Sequence, residues 1–170
     1  MALITEDGSN VAGAESLASV AYADTYHSNR GNTAWAALGT PAKEQALRKA
    51  TDYMGQAYRT RWAGYRTHST QVLDWPRSLV EIKDVNYIGI YVDQDSVPDE
   101  VKKTCCELAL MSLDGPLAPN VERETASESV GDISVSYFQG STQNTVYRAI
   151  DLMLKPYLRN NGSGIEIIRA

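Results

Sequence analysis

A chain of 170 residues, 43% apolar and 22% charged, has the composition of a soluble globular protein and the length for one domain with a real core. No apolar run nears the roughly 18 residues that span a membrane, and the acidic start MALITEDGSN reads as neither a signal nor a transit peptide. A net charge of −5 argues against a dedicated nucleic-acid binder, and two adjacent cysteines with two scattered histidines offer no zinc-ligand spacing.

Ala2–Thr5 reads as a short extended start before a Gly/Ser/Asn turn. Ser19 suits the cap of a first helix, Val20–Asn29. Tyr22 and Tyr26 fall on one face of it, and Val20, Ala23 and His27 on another. Gly31 ends it, and Trp35 and Leu38 sit in a short turn that staples it to the next helix. Thr40-Pro41 supplies a cap and a first-position proline for that second helix. Leu47, Ala50 and Met54 form its inner stripe, Glu44 and Arg48 an exposed pair, and it runs through Gly55 toward Tyr58.

Residues 59–92 carry no clear period. The run RTRWAGYRTHSTQVLDWPRS mixes cations and aromatics, and Pro76 disfavours a helical Trp75. Tyr87–Val92 has strand composition. Asp93–Ser96 is a turn that lacks the glycine and the closing glutamate of a calcium loop. Val97–Leu113 is the strongest helix signal. Pro98 fits its first position, Asp99 and Glu100 meet the positive end of the macrodipole, and Val101, Cys105, Leu108 and Met111 share one face. From Cys105 on it is apolar nearly all round, so it is expected at the centre of the domain. Adjacent helical residues point about 100° apart, so Cys105 and Cys106 read as small buried groups, not a disulfide.

Pro116–Glu128 reads as a long acidic loop. Ile133, Val135 and Tyr137 alternate with serines, as in a half-buried strand or hairpin arm. Thr145–Leu158 is a last helix with a stripe of Val146, Ile150, Met153, Leu154 and Tyr157, which Pro156 kinks or ends near Lys155. Asn160–Gly164 is a hinge; its Asn161 sequon carries no weight without a secretory signal. The tail Ile165–Ala170 is rich in isoleucine and needs a sheet edge, either that of Ile133–Tyr137 or that of another chain. The fold is thus mainly α, a compact four-helix-type bundle with a small β-hairpin or strand element and an extended C-terminal arm. One domain covers 1–158, with long loops at 59–92 and 114–130, and the hinge and arm cover 159–170.

Charge is uneven along the chain. Residues 48–80 have a balance of +4 and residues 84–132 a balance of −8. This suits a charged partner or head-to-tail copies of the chain, or else ordinary surface variation. No GxSxG, HExxH or Walker-type motif occurs, and paired acids such as Asp99-Glu100 are explained by the helix start. His27 lies on an inner helix face and His68 in a polar loop, so neither reads as a catalytic base. The reading is a non-enzyme without cofactor or metal. Arg59, Arg61, Trp62, Tyr65 and Arg66 could hold single-stranded DNA by stacking and phosphate neutralisation. In the competing reading, preferred for the tryptophans, Trp62, Leu73 and Trp75 cap the core and the arginines pair with the acidic half.

The ordered segments MALITEDG, SVAYADTYHSNRGN, KEQALRKATDYM, QVLDWPR and VPDEVKKTCCELAL, with the strand-plus-helix end, resemble the small head–tail adaptor proteins of tailed bacteriophages. Relatives with this pattern are also labelled DnaT-like single-stranded-DNA-binding proteins. The resemblance covers Met1 to about Leu158. It implies a virion neck protein, made in the host cytoplasm, that forms a homo-oligomeric ring, commonly a dodecamer. Such a ring joins the portal protein to the next connector or tail protein and passes DNA without specific binding; no membrane is involved. It supplies no catalytic residues. Interface residues expected for such an assembly are Trp75, Arg77, Asp99, Glu100, Tyr157, Ile165, Ile167 and Ile168.

Overall fold

Ser19 stands in extended backbone and its side chain accepts a hydrogen bond from the Tyr22 amide, capping α1, Val20–Ser28. This helix opens a computed structural model that describes residues 2–86, 89–119, 127–130, 133–136 and 146–159. A four-residue helix, α2 (Thr33–Ala36), occupies what the sequence presents as a turn, and it seats Trp35 in the core. α3 spans Thr40–Tyr58. Thr40 is its first helical residue, and Gly39 takes the cap position that the sequence assigns to Thr40. Pro41 remains in the first turn, where a missing N–H leaves nothing unpaired.

Two β excursions follow. β1 (Tyr65–Arg66) and β2 (Arg77–Ser78) pair antiparallel, Tyr65 with Ser78 and Arg66 with Arg77. Gly64 makes the approach possible: its φ is +62°, and a Cβ there would lie 2.2 Å from the Ser78 carbonyl oxygen. The second excursion, 80–92, closes through a Glu81–Tyr91 bridge with Ile82 N–H to Ile90 O and Val92 N–H to Val80 O, both 2.8 Å. The strand composition of 87–92 thus yields a narrow bridge among the described residues, because no third strand flanks it. Val85, Ile90 and Tyr91 are exposed there, as is Leu79 at the end of the first excursion.

α4 runs Asp99–Met111, with Pro98 at the cap and Asp99 and Glu100 in the first turn. Val101, Cys105, Cys106, Leu108 and Ala109 are fully buried. Leu110 and Met111 are half-buried and Leu113 is exposed, so the all-round apolar character does not carry burial past the last turn. α4 touches α1, α3 and α5, the central place its sequence predicts. β3 (Ser127–Val130) and β4 (Ile133–Ser136) form a second antiparallel pair. The predicted loop 116–128 therefore gives way to strand at Ser127, and Tyr137 lies outside the described residues. α5 is short, Arg148–Leu154, and passes into a 3-10 turn, Lys155–Tyr157, at Pro156. Val146 is exposed, so the predicted stripe begins at Ile150. The hinge and arm, with Ile165, Ile167 and Ile168, lie outside the described residues.

The protein is therefore mainly helical with small antiparallel β elements. Its helices are tied by tyrosine hydroxyls donating to carboxylates. Tyr22 bonds Asp99 at 2.7 Å and Tyr26 bonds Glu107 at 2.6 Å, linking α1 to α4. Tyr58 bonds Asp151 at 3.0 Å, linking α3 to α5, and Tyr157 bonds Glu100 at 2.6 Å. Burial, then these bonds, push all four phenols up from their ordinary value.

His27 is a core histidine, as its position predicts. It is fully buried, its Nε2 lies 3.2 Å from the Cys106 carbonyl oxygen, its Nδ1 lies 2.9 Å from Asn32 Nδ2, and its ring sits 4.6 Å from Trp35. Burial lowers its pKa below the ordinary 6.5. The unfolded chain then binds more protons than the folded one near that pH, so this contribution is complete above 6.5 and is lost as pH falls through it. The buried thiols of Cys105 and Cys106 are pushed up from 9.0 by burial, and their contribution is lost as pH rises past 9.0. Thermal melts are expected to show a stability plateau between these limits. The acid-side decline between pH 7 and 5 should flatten in His27→Gln; an unchanged decline would assign it to other groups.

Candidate functional site

The residues that suggest nucleic-acid binding fall into three environments. Trp62 and Trp75 are fully buried. Trp62 meets Tyr58 at 5.8 Å between ring centroids and Trp75 edge-on at 5.6 Å, and Trp75 meets Tyr157 edge-on at 5.8 Å. The Trp75–Pro76 peptide is cis. Arg77 is 5% exposed, and its guanidinium donates to the carbonyls of Ala63 at 2.7 Å, Gly64 at 2.9 Å and Asp74 at 3.1 Å. Gln71 completes this turn by donating to Leu73 O and Pro76 O, both at 2.9 Å. Trp62 is thus removed from base stacking, and Trp75 and Arg77 from the expected interface, because all three hold the 59–78 segment together inside the subunit.

The second group is exposed but paired. Arg59 donates to Asp74 Oδ1 at 3.0 Å. Arg61 pairs with Asp151 at 3.1 Å and lies over the Tyr58 ring at 4.8 Å. Arg66 donates to Gln71 O at 3.0 Å. The third environment holds Tyr65 alone, 65% exposed on β1. Arg48, Arg59 and Arg61 do pair with acids, but their partners Glu15, Asp74 and Asp151 all lie outside the acidic 84–132 segment. The ion pairs described for these arginines thus do not join the two charge blocks of the sequence.

Two expected interface residues, Asp99 and Glu100, also have partners within the chain. Asp99 is exposed but bridges to Lys103 at 2.9 Å and accepts from Tyr22. The Lys103 and Tyr22 bonds hold its carboxyl below the usual range. Glu100 and Tyr157 are half-buried and bond each other, so neither is a free surface group.

Sequence reasoning misses two built features. Glu6, 2% exposed, gathers the amides of Gly8 at 2.9 Å and of Asn10 and Val11 at 3.0 Å, closing the N-terminal loop around a carboxylate. The second is a cavity of about 680 Å³ bordered by Glu15, Arg48, Asp52, Gln56, Arg59 and Asp74. The only sequence sign of it is Gly55, a glycine inside a helix. Among the described residues no three His, Cys, Asp or Glu side chains group to hold a metal ion, and no helix is long and apolar enough to cross a membrane.

No curated protein and no solved structure matches the chain. A family model described as "Putative DnaT-like ssDNA binding protein" matches residues 1–170. Matched over its whole length, the chain belongs to this DnaT-like family.

Proposed function

We propose that this protein is a structural component of a phage virion, a head–tail adaptor. In this reading identical copies form a ring, a dodecamer in the form the resemblance implies, between the portal and the next connector or tail protein. DNA passes through the lumen without specific binding. The observation that carries the reading is the fate of the cation–aromatic segment. Trp62, Trp75 and Arg77 are interior, and Arg59 and Arg61 are engaged by Asp74 and Asp151, which leaves Tyr65 as the exposed aromatic of this segment on an acidic chain. Weak phosphate contact suits a channel through which DNA slides. The apolar residues exposed on the two excursions, Tyr65, Val72 and Leu79 on one and Val85, Ile90 and Tyr91 on the other, suit contact between subunits.

A second reading is favoured by the family's description: a single-stranded-DNA-binding replication accessory protein. Its residues would be Tyr65 with Arg59, Arg61 and Arg66, since these remain at the surface. The two readings separate in one titration. The adaptor is expected to show no salt-dependent affinity for single-stranded oligonucleotides near physiological salt. Tight binding with a steep salt slope, lost in Tyr65→Ala and in Arg59/Arg61→Ala, would overturn it in favour of the second. Mass spectrometry of purified virions is expected to find the protein; its absence there would also overturn the adaptor reading.

A further inference from the structure

The cavity between α3, the 14–17 segment and the 72–74 turn has a volume of about 680 Å³, within the range of small-molecule sites. Its charges are unevenly satisfied. Arg48 holds Glu15 at 2.8 Å, and Arg59 holds Asp74 Oδ1 at 3.0 Å, so both cations are occupied. Two acidic groups retain free acceptors. Asp74 is 4% exposed, and its Oδ2 is buried without a hydrogen-bond partner. Asp52 sits exposed at the mouth and makes no ion pair among the described residues. A buried carboxylate oxygen without a donor carries a desolvation cost with no compensating bond, and a cationic donor meets that need best.

The helix is cut back at this spot. A Cβ on Gly55 would stand 4.0 Å from Asp74 Oδ2 and 3.8 Å from Arg59 Nη2. Glycine is a poor helix former, and here a side chain would come into van der Waals contact with the carboxylate. Leu17, Met54 and Leu73 give the cavity apolar wall. Trp62 also lines it, with its Nε1 buried and without an acceptor. That atom is a donor, and a ligand chosen to serve it alone would leave Asp74 Oδ2 without one.

We propose that this cavity binds a primary ammonium group on an aliphatic stem. The ammonium donates to Asp74 Oδ2, the stem lies along Leu17, Met54 and Leu73, and Asp52 with Gln56 receives a second amine where the ligand has one. The proposal depends on neither functional reading, although Val72 and Arg59, which those readings use, also border the cavity. Two sources carry this chemistry, a free alkyl diamine and the lysine side chain of a neighbouring molecule.

The test titrates the full-length chain with putrescine, n-butylamine and Nα-acetyl-lysine amide at constant ionic strength, read by calorimetry and by amide shifts around residues 52–56 and 72–74. Saturable binding is expected, weakened about tenfold or more by Asp74→Asn. Gly55→Ala is expected to raise the melting temperature while lowering affinity, so that lost binding is not lost folding; if Asp74→Asn fails to fold, this variant carries the test alone. A putrescine advantage that Asp52→Asn removes identifies a free diamine. Equal binding of butylamine and the lysine amide identifies a partner's lysine. The proposal is overturned by an absence of saturable binding at about 10 mM of every amine, which would leave water as the occupant. It is equally overturned by affinity that Asp74→Asn and Gly55→Ala leave unchanged.

Discussion

Trp62→Ala is expected to destabilise the protein by about 3–5 kcal/mol in chemical denaturation. The indole is fully buried among Tyr58 and Trp75, and its loss opens a void that these rings cannot fill without leaving their edge contacts. The backbone at this point also joins the end of α3 to the C-terminal end of the domain. Trp62 bridges Leu158, Ala63 N–H donates to Tyr157 O at 2.9 Å, and Arg159 donates from its amide to Arg61 O at 2.7 Å and from Nε to Trp62 O at 2.9 Å. A loss below about 1 kcal/mol would show that the indole is not a packed core group. The result bears on function as well. Any oligonucleotide affinity lost in this variant reports unfolding unless its stability is measured alongside, so Tyr65→Ala is the cleaner probe of stacking.

Arg77→Ala is expected to cost a comparable amount, about 3–5 kcal/mol, through a different cause. Its three acceptors diverge from one guanidinium, and without it the carbonyls of Ala63, Gly64 and Asp74 lose that donor in a buried turn. Arg77→Lys should recover little, because a single ammonium cannot reproduce the planar fork. Urea midpoints of the two variants decide this. A lysine variant near wild-type stability would mean that charge alone, not the geometry of the donors, holds the turn.

The parts of the fold that were legible in the sequence are those held by periodic burial. α4 announced itself through Pro98, Asp99 and Glu100 followed by an apolar stripe, and its central place follows from that stripe being wide. α1 was legible through Ser19 and α3 through Pro41. α2 was not, since four residues are too few to show a period. The 59–92 segment was legible only in part. Its order comes from Arg77 on carbonyls, Gln71 on the turn and tryptophans meeting edge-on, and none of these leaves a repeat in the sequence. Residue type pointed the wrong way for Arg77, because a buried arginine looks like a surface one until its acceptors are known. The tryptophans were better served by the reading that made them a cap on the core. The α3 cavity was invisible because Asp74 and Gly55 meet only in three dimensions.

The tyrosine–carboxylate ties have a consequence for the conditions the protein tolerates. Asp151 and Glu107 accept from neutral phenols, and Asp99 and Glu100 do so as well. An acidic chain would ordinarily need cations to draw its helices together, and such ion pairs weaken as salt screens them. A bond between a neutral hydroxyl and a carboxylate has no second charge to screen. The links between α1 and α4, and between α3 and α5, therefore persist across ionic strengths that would loosen a bundle joined by surface ion pairs.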